Sequence, residues 1–210
     1  MVFSCENSGC KIGIMGGTFD PIHLGHLVLA EEIRYQFGLD KIIFVPVGTP
    51  PHKGQDNISD KMLRYDMTRL ACMTNPHFEV SKIEIESEAI SYTINTIKKI
   101  KALVHSEHVE MFFITGADAI MSIESWKDYE ELLSLCSFIG ATRPGIHVEH
   151  LEEKIEHLKA HYGAKIYLTH IPGLAISSTD IRNRIREGRS IKYLLPESVE
   201  QFILDNHLYL

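Results

Sequence analysis

Five stretches of the chain are short, almost continuously apolar and rich in β-branched or aromatic residues: 11–15 (KIGIM), 41–47 (KIIFVPV), 109–115 (VEMFFIT), 137–142 (SFIGAT) and 165–170 (KIYLTH). Runs of this kind read as strands buried on both faces. Residues 78–86 (FEVSKIEIE) alternate apolar and polar positions and read as a sixth strand. Between these runs, apolar residues recur at helical spacing over 25–37, 59–74, 92–104 and 151–162. A further helix is expected from Ser178 in SSTDIRNRIREG, capped by Ser or Thr and stopped by Gly188, and Pro196 opens a last one at a position proline tolerates. Strands that alternate with helices and are apolar on both sides imply an α/β fold, a mostly parallel sheet covered by helices. No repeat, biased tract or linker marks a second domain. Residues 11–210 therefore read as one domain, and 1–10 as a flexible N-terminal tail.

Composition narrows the class. A 44% hydrophobic content over 210 residues is enough for a sizeable core. The net charge of −7 argues against a nucleic-acid partner, because phosphate-backbone binding needs a basic face, although a local cationic pocket is compatible with it. No apolar run approaches the ~18 to 20 residues that span a bilayer, and residues 1–10 have neither a basic nor an apolar leader segment. The expectation is a cytoplasmic protein with no membrane partner; a homo-oligomer stays open. Four cysteines, two of them (Cys72 and Cys136) in apolar surroundings, do not resemble the framework of a small secreted domain, so the thiols are expected to be reduced. Cys5 and Cys10 lack a second Cys or His pair at zinc spacing, and no metal site is assigned. His105, His108, His147, His150, His157 and His161 lie among charged residues and read as solvated surface.

The chemistry concentrates after the first strand, in GGTFDPIHLGH, residues 16–26. Gly16 and Gly17 let a ligand approach the backbone closely. The helix that follows offers N–H groups and the positive end of its dipole, a setting for phosphate. His23 and His26 are three apart, hence on one face if the helix has begun by Ile22, and both rings would then meet the same anion. Taken singly, Gly-Gly is a common turn, and paired histidines could bind metal or solvent. In the strand–Gly-Gly–helix context they point to phosphate. The pattern is neither GxGxxG nor GxxxxGK[ST]. Gly16-Gly17-Thr18-Phe19-Asp20-Pro21-Ile22-His23-Leu24-Gly25-His26 resembles the signature of the HxGH nucleotidyltransferase superfamily. The resemblance implies a Rossmann-like sheet, ATP with Mg²⁺ bound mainly through its phosphates, and nucleotidyl transfer with release of pyrophosphate.

Later segments bear on the acceptor. PVGTPPHK (46–53) is a strand end running into a proline-stiffened loop with His52 and Lys53 at its tip; alone, it reads more readily as a solvated turn. Ser91-Tyr92-Thr93 opens a helix whose N–H groups could hold a carboxylate or could simply be capped. Trp126, the one tryptophan, could stack on a planar ring or pack. In this order, PPHK, SYT, GADAIMSIESW, TRPG and ISSTDIR resemble the bacterial nicotinate-nucleotide adenylyltransferase family over about residues 11–210. By that resemblance Trp126 stacks on a nicotinate ring, backbone amides of Thr93 and Lys127 hold its carboxylate, and His52 and Lys53 lie near phosphate. His23, His26, Lys53 and Arg182 become the catalytic candidates. Gly16, Gly17, Thr18, Phe19, Asp20, His52, Tyr92, Thr93, Gly116, Asp118, Trp126, Lys127, Arg143, Ile176, Ser177 and Ser178 become the substrate-binding candidates, with ATP and nicotinate mononucleotide as substrates. The chain departs from the family's pattern at Ser87-Glu88-Ala89-Ile90, where an Arg-Gly-Gly-Pro-like run is usual, and at Asn95, where Asp is common. Three readings stay open: this reaction, the same chemistry on nicotinamide mononucleotide or phosphopantetheine, and a catalytically silent nucleotide sensor.

Overall fold

A computed structural model describes residues 9–50, 58–104, 109–142, 149–170 and 175–210. Six strands are found there: β1 (Lys11–Gly17), β2 (Lys41–Pro46), β3 (Phe78–Val80), β4 (Glu110–Gly116), β5 (Ser137–Thr142) and β6 (Ile166–His170). They form one sheet in the order β3-β2-β1-β4-β5-β6, and every neighbouring pair is parallel. That order is the doubly wound, Rossmann-type arrangement, in which the chain turns back on itself beside β1. The expected α/β fold with a parallel sheet is what the chain adopts.

Helices cover both faces. On one side α3 (Thr93–Leu103), α4 (Ala117–Met121), α5 (Tyr129–Leu135) and α6 (Leu151–Tyr162) close a core that includes Ile12, Ile14, Val45, Ile97, Phe113 and Phe138. On the other, α1 (Leu24–Phe37), α2 (Lys61–Cys72), α7 (Ser178–Arg186) and α8 (Glu197–Asp205) close a core with Met15, Ile33, Phe44, Met67 and Ile139. Alternate residues of β1 thus feed opposite layers, as the pleat requires. Among the described residues no helix is long and apolar enough to cross a membrane. Gly38, at φ +60°, closes α1, and the Leu39 N–H returns to the Arg34 carbonyl at 2.8 Å.

The structure corrects three expectations. The alternating run 78–86 is a strand only as far as Val80. Its pairing with β2 stops at Phe44, opposite Val80, although β2 itself runs on to Pro46, and the Ser81 N–H makes one last bond to the Phe44 carbonyl. The chain then turns, with Glu86 N–H returning to Lys82 and Ser87 N–H to Glu84. Ile85 is buried in that turn, which is why the pattern imitated a strand. Cys10, the last residue of the expected tail, is buried, and its carbonyl accepts from the Glu110 N–H at 2.9 Å. It is also disulfide-bonded, contrary to the expectation of reduced thiols. Cys72 and Cys136 are free, and burial pushes both thiols up to about 12.

Gly13, in the middle of β1, tests how tightly the layers meet. A Cβ there would lie 2.5 Å from Ile42 Cδ1, 2.9 Å from Leu39 Cδ1 and 3.0 Å from Ile114 Cδ1. Gly13→Ala is expected to cost about 1–3 kcal/mol, the usual range for overpacking. Urea unfolding followed by circular dichroism measures it, and an unchanged midpoint would mean that the three side chains yield freely.

Candidate active site

β1 lies between β2 and β4, where the strand order reverses, so a crevice opens at its carboxyl end. The loop leaving it is built from below. Phe19, at φ +49° and 3% exposed, places its ring under Gly17, where a Cβ would lie 2.8 Å from the ring. Asp20 is 4% exposed. Its carboxylate accepts from Tyr209 Oη at 2.7 Å and from the Ser59 N–H at 3.3 Å, while its carbonyl accepts from Arg182 Nη1 at 2.7 Å. The side chains of Phe19 and Asp20, both substrate-binding candidates in the sequence, are thus buried beneath the loop and brace it.

Helix α1 begins at Leu24 with His23 as an extended N-cap, later than the start at Ile22 that put both histidines on one helical face. Their rings nevertheless stack, with centroids 3.7 Å apart. His26 Nδ1 accepts from the His23 N–H at 3.3 Å, which in the neutral ring leaves the proton on Nε2 as a donor. Phe19 meets the His26 ring edge-on at 5.1 Å. The helix end is only partly open, because Leu24 N–H is taken by the Leu194 carbonyl at 3.0 Å.

Beside this loop lies a cavity of about 680 Å³ bordered by Gly16, Gly17 and Thr18, by Val47 and Pro50, and by Ser91, Tyr92, Thr93, Trp126 and Lys127. Trp126 is half-buried and meets Phe113 edge-on at 5.9 Å, so it packs and borders the cavity at once. Helix α3 starts with Tyr92 as N-cap, without a side-chain cap, and the Thr93 N–H has no partner among the described residues. The Lys127 N–H, just beyond the 3-10 turn Ile123–Ser125, likewise has none. Lys127 Nζ lies 4.7 Å above the Tyr92 ring. Two main-chain donors, a helix N-terminus and an ammonium therefore border one apolar slot, a setting for a planar ring carrying a carboxylate. The atypical run 87–90 is tied to the far wall. Ile90 bridges Thr49, Ser91 N–H donates to the Thr49 carbonyl at 2.8 Å, and Thr49 N–H donates to Ser91 Oγ at 3.3 Å. Asn95 is exposed.

The remaining candidates fall around the rim. Ser177 caps α7 by accepting from the Asp180 N–H at 3.1 Å, and Ser178 Oγ donates to the Pro21 carbonyl at 2.8 Å. Together with the Arg182 bond, this docks α7 on the β1–α1 loop. Ile176 packs into the adjoining core. Gly116 ends β4, and a Cβ there would lie 2.3 Å from Asp118 Oδ1, so that carboxylate folds over the strand end. Neither borders the cavity; Thr115 does. His52, Lys53 and Arg143 lie outside the described residues.

Sequence reasoning missed Arg64, Glu84 and Tyr209. Arg64, on α2 and 1% exposed, donates to the carbonyls of Thr18 at 2.8 Å, Ser59 at 2.9 Å and Gly48 at 3.3 Å. Burial lowers its pKa, opposed by Asp20 and other nearby acids. Glu84 borders the cavity and accepts from Thr96 Oγ1 at 2.5 Å. Nothing local marks these residues, since an isolated arginine in an amphipathic helix reads as solvated.

The family profile described as Cytidylyltransferase-like matches residues 14–184, so the chain belongs to this class of nucleotidyltransferase-like proteins. Within the class, it is 55% identical over 199 residues to the "probable nicotinate-nucleotide adenylyltransferase" of Thermoanaerobacter sp. (strain X514), covering 95% of this chain and 94% of that protein. It is 51% identical to the protein of the same name from Moorella thermoacetica, covering 95% and 91%. The chain is a member of the nicotinate-nucleotide adenylyltransferase family. Its fold is shared by the Plasmodium falciparum nicotinic acid mononucleotide adenylyltransferase complexed with NaAD, with TM-score 0.76, 24% identity and coverage of 95% and 97%. The crystal structure of a "putative nicotinate-nucleotide adenylyltransferase" from Vibrio parahaemolyticus shares it with TM-score 0.66, 19% identity and 95% coverage of each chain.

Burial, and then the Asp20 carboxylate beside it, raise the pKa of the Tyr209 phenol well above its ordinary value. A group whose pKa is raised on folding contributes stability below its unfolded pKa, about 10 for tyrosine, and loses it as pH rises further. The native protein is therefore expected to exceed Tyr209→Phe in thermal stability at neutral pH, with the gap narrowing above pH ~10. Parallel melting curves across that range check this, and a gap that widens there would contradict it.

Proposed function

We propose that the chain transfers the adenylyl group of ATP to nicotinate mononucleotide, releasing pyrophosphate and forming nicotinate adenine dinucleotide for NAD synthesis. The observation that carries this reading is the convergence of the Thr93 and Lys127 N–H donors with Trp126 on a cavity that reaches Gly16–Thr18. The ring is placed against Trp126 and its carboxylate on the two donors. The mononucleotide's phosphate is then directed toward the β1–α1 loop, where ATP is held.

A phosphate oxygen of the mononucleotide attacks the α-phosphorus of ATP. The new P–O bond forms as the bond to the β-phosphate oxygen breaks, and the electron pair leaves with pyrophosphate. The nucleophile has a second pKa of about 6 and needs no general base at neutral pH. The work is to bring two polyanions together and to stabilise charge as it moves to the leaving group. His26, with its Nε2–H donor, His23 and Arg182 supply that stabilisation, joined by Lys53. Among the described residues the polar groups bordering the cavity are mainly hydroxyls and backbone N–H groups, with Lys127 and a single carboxylate, Glu84, so Mg²⁺ would be held by ATP rather than by a protein cage. It would supply charge neutralisation on the phosphates. The protein acts as a soluble catalyst in this reading.

His26→Ala is expected to lower kcat by ~10²-fold with a smaller change in KM, the mark of a donor that acts mainly in the transition state. Steady-state pyrophosphate release by the folded variant measures it, and near-native turnover would remove His26 from the mechanism. The acceptor is tested by competition. A carboxamide would set its NH₂ against a backbone N–H and leave a buried donor unpaired, which costs roughly 1–3 kcal/mol. Nicotinate mononucleotide should therefore outcompete nicotinamide mononucleotide by about 10- to 100-fold in one mixed reaction. Equal product yields would overturn the nicotinate assignment and leave adenylyl transfer standing.

A further inference from the structure

We infer that Arg64 and Tyr209 are positioning residues for adenylyl transfer. Through Asp20 and Ser59 they set the spacing between the β1–α1 loop, the segment after β2 and helix α7, and so fix where Arg182 and the Gly16–Thr18 wall stand. The inference rests on the reaction proposed above and assigns work to residues outside its contact set, since neither borders the large cavity.

Arg64 is a buried cation with no carboxylate within ion-pair distance among the described residues. Taking such a charge out of water is costly, and an apolar residue would serve the core of α2 better. What the guanidinium provides is geometry. Its planar fork holds three carbonyls from three separate segments, Thr18, Gly48 and Ser59. Two of these flank the cavity: Thr18 and its neighbour Gly17 form one wall, and Val47 and Pro50, on either side of the Gly48–Thr49 pair, form another. Gly48 has no slack, because a Cβ there would lie 2.2 Å from the Glu84 carbonyl oxygen.

The fork is the first link of a continuous chain. Ser59 gives its carbonyl to Arg64 and its N–H to Asp20 Oδ2. Asp20 Oδ1 accepts from Tyr209, and the Asp20 carbonyl accepts from Arg182 Nη1. Arg182 is thus held by a backbone oxygen whose own residue is clamped from both sides. A shift of about an ångström there is felt directly in rate, because reacting groups must stand in near-attack geometry. Loss of either clamp should lower turnover rather than affinity.

The experiment compares the native protein with Arg64→Lys, Tyr209→Phe and the double variant. Lysine keeps the charge but not the planar fork, and phenylalanine removes one hydroxyl without opening a cavity. Each single variant is expected to lower kcat roughly tenfold, with KM for ATP and for nicotinate mononucleotide within about twofold. Because both act through Asp20, the double variant should be little slower than the slower single one, not slower by the product of the two. Hydrogen exchange of the unliganded proteins should show peptides spanning 16–20 and 58–60 exchanging faster in both single variants, with α5 and α6 unchanged. Normal kcat in Tyr209→Phe, a rise in KM alone, or losses that multiply would overturn the inference. If the native protein releases no pyrophosphate with these substrates, the proposed reaction fails instead. Exchange then decides the network, and equal exchange in native and variant loops sinks it.

Discussion

The constraint on which everything else rests is the reversal of strand order at β1. With β2 on one side and β4 on the other, both parallel to it, β1 is hydrogen-bonded along both edges and buried on both faces. The connections leaving β1 and β4 must diverge to opposite faces of the sheet, because parallel crossovers share one hand. The gap between them is the crevice, and no side chain has to be sacrificed to create it. The residues that line it, from Gly16 to Thr18, Val47 and Thr115, are there because their strands end there.

A protein of net charge −7 that handles two polyanionic substrates must make its positive potential locally. Much of it here comes from the main chain. The uncapped start of α3, the Lys127 N–H and the start of α7 supply oriented dipoles that need no counter-ion. Side-chain cations add to this at few points. Arg182 is held by a carbonyl and, among the described residues, has no carboxylate in contact, which keeps its field available to an anion. Arg64 is neutralised no more directly, but its three carbonyl partners direct it inward, to the architecture. Two arginines of like chemistry thus sit in different surroundings according to which way their forks are turned.

The sequence carried most of the architecture because the signal was local. Strands buried on both faces must be apolar throughout, and residues 137–142 and 151–162 match β5 and α6 end to end. The reading failed at 81–86, where the polar–apolar alternation is real but the chain leaves β2 after the Phe44–Val80 pair and folds into a turn. Whether a strand continues depends on its pairing with a neighbour, which no local window contains.

For the site, the sequence by itself determined the chemical cast: a Gly-Gly turn, HxGH, a capped SST helix, one tryptophan after a Gly-Ala-Asp segment, and with them the family. These are short motifs whose residues act close to where they lie in the chain. Only the tertiary structure decided which members border the crevice and which are packed beneath it. Phe19 and Asp20, inside the most recognisable motif, are buried supports, while Arg64 and Tyr209, in no motif, are joined to that motif across 46 and 189 positions of sequence. The physical reason is that a hydrogen bond from a buried side chain is specified by where two distant backbones come to rest, and that position is set by the packing of whole helices on the sheet.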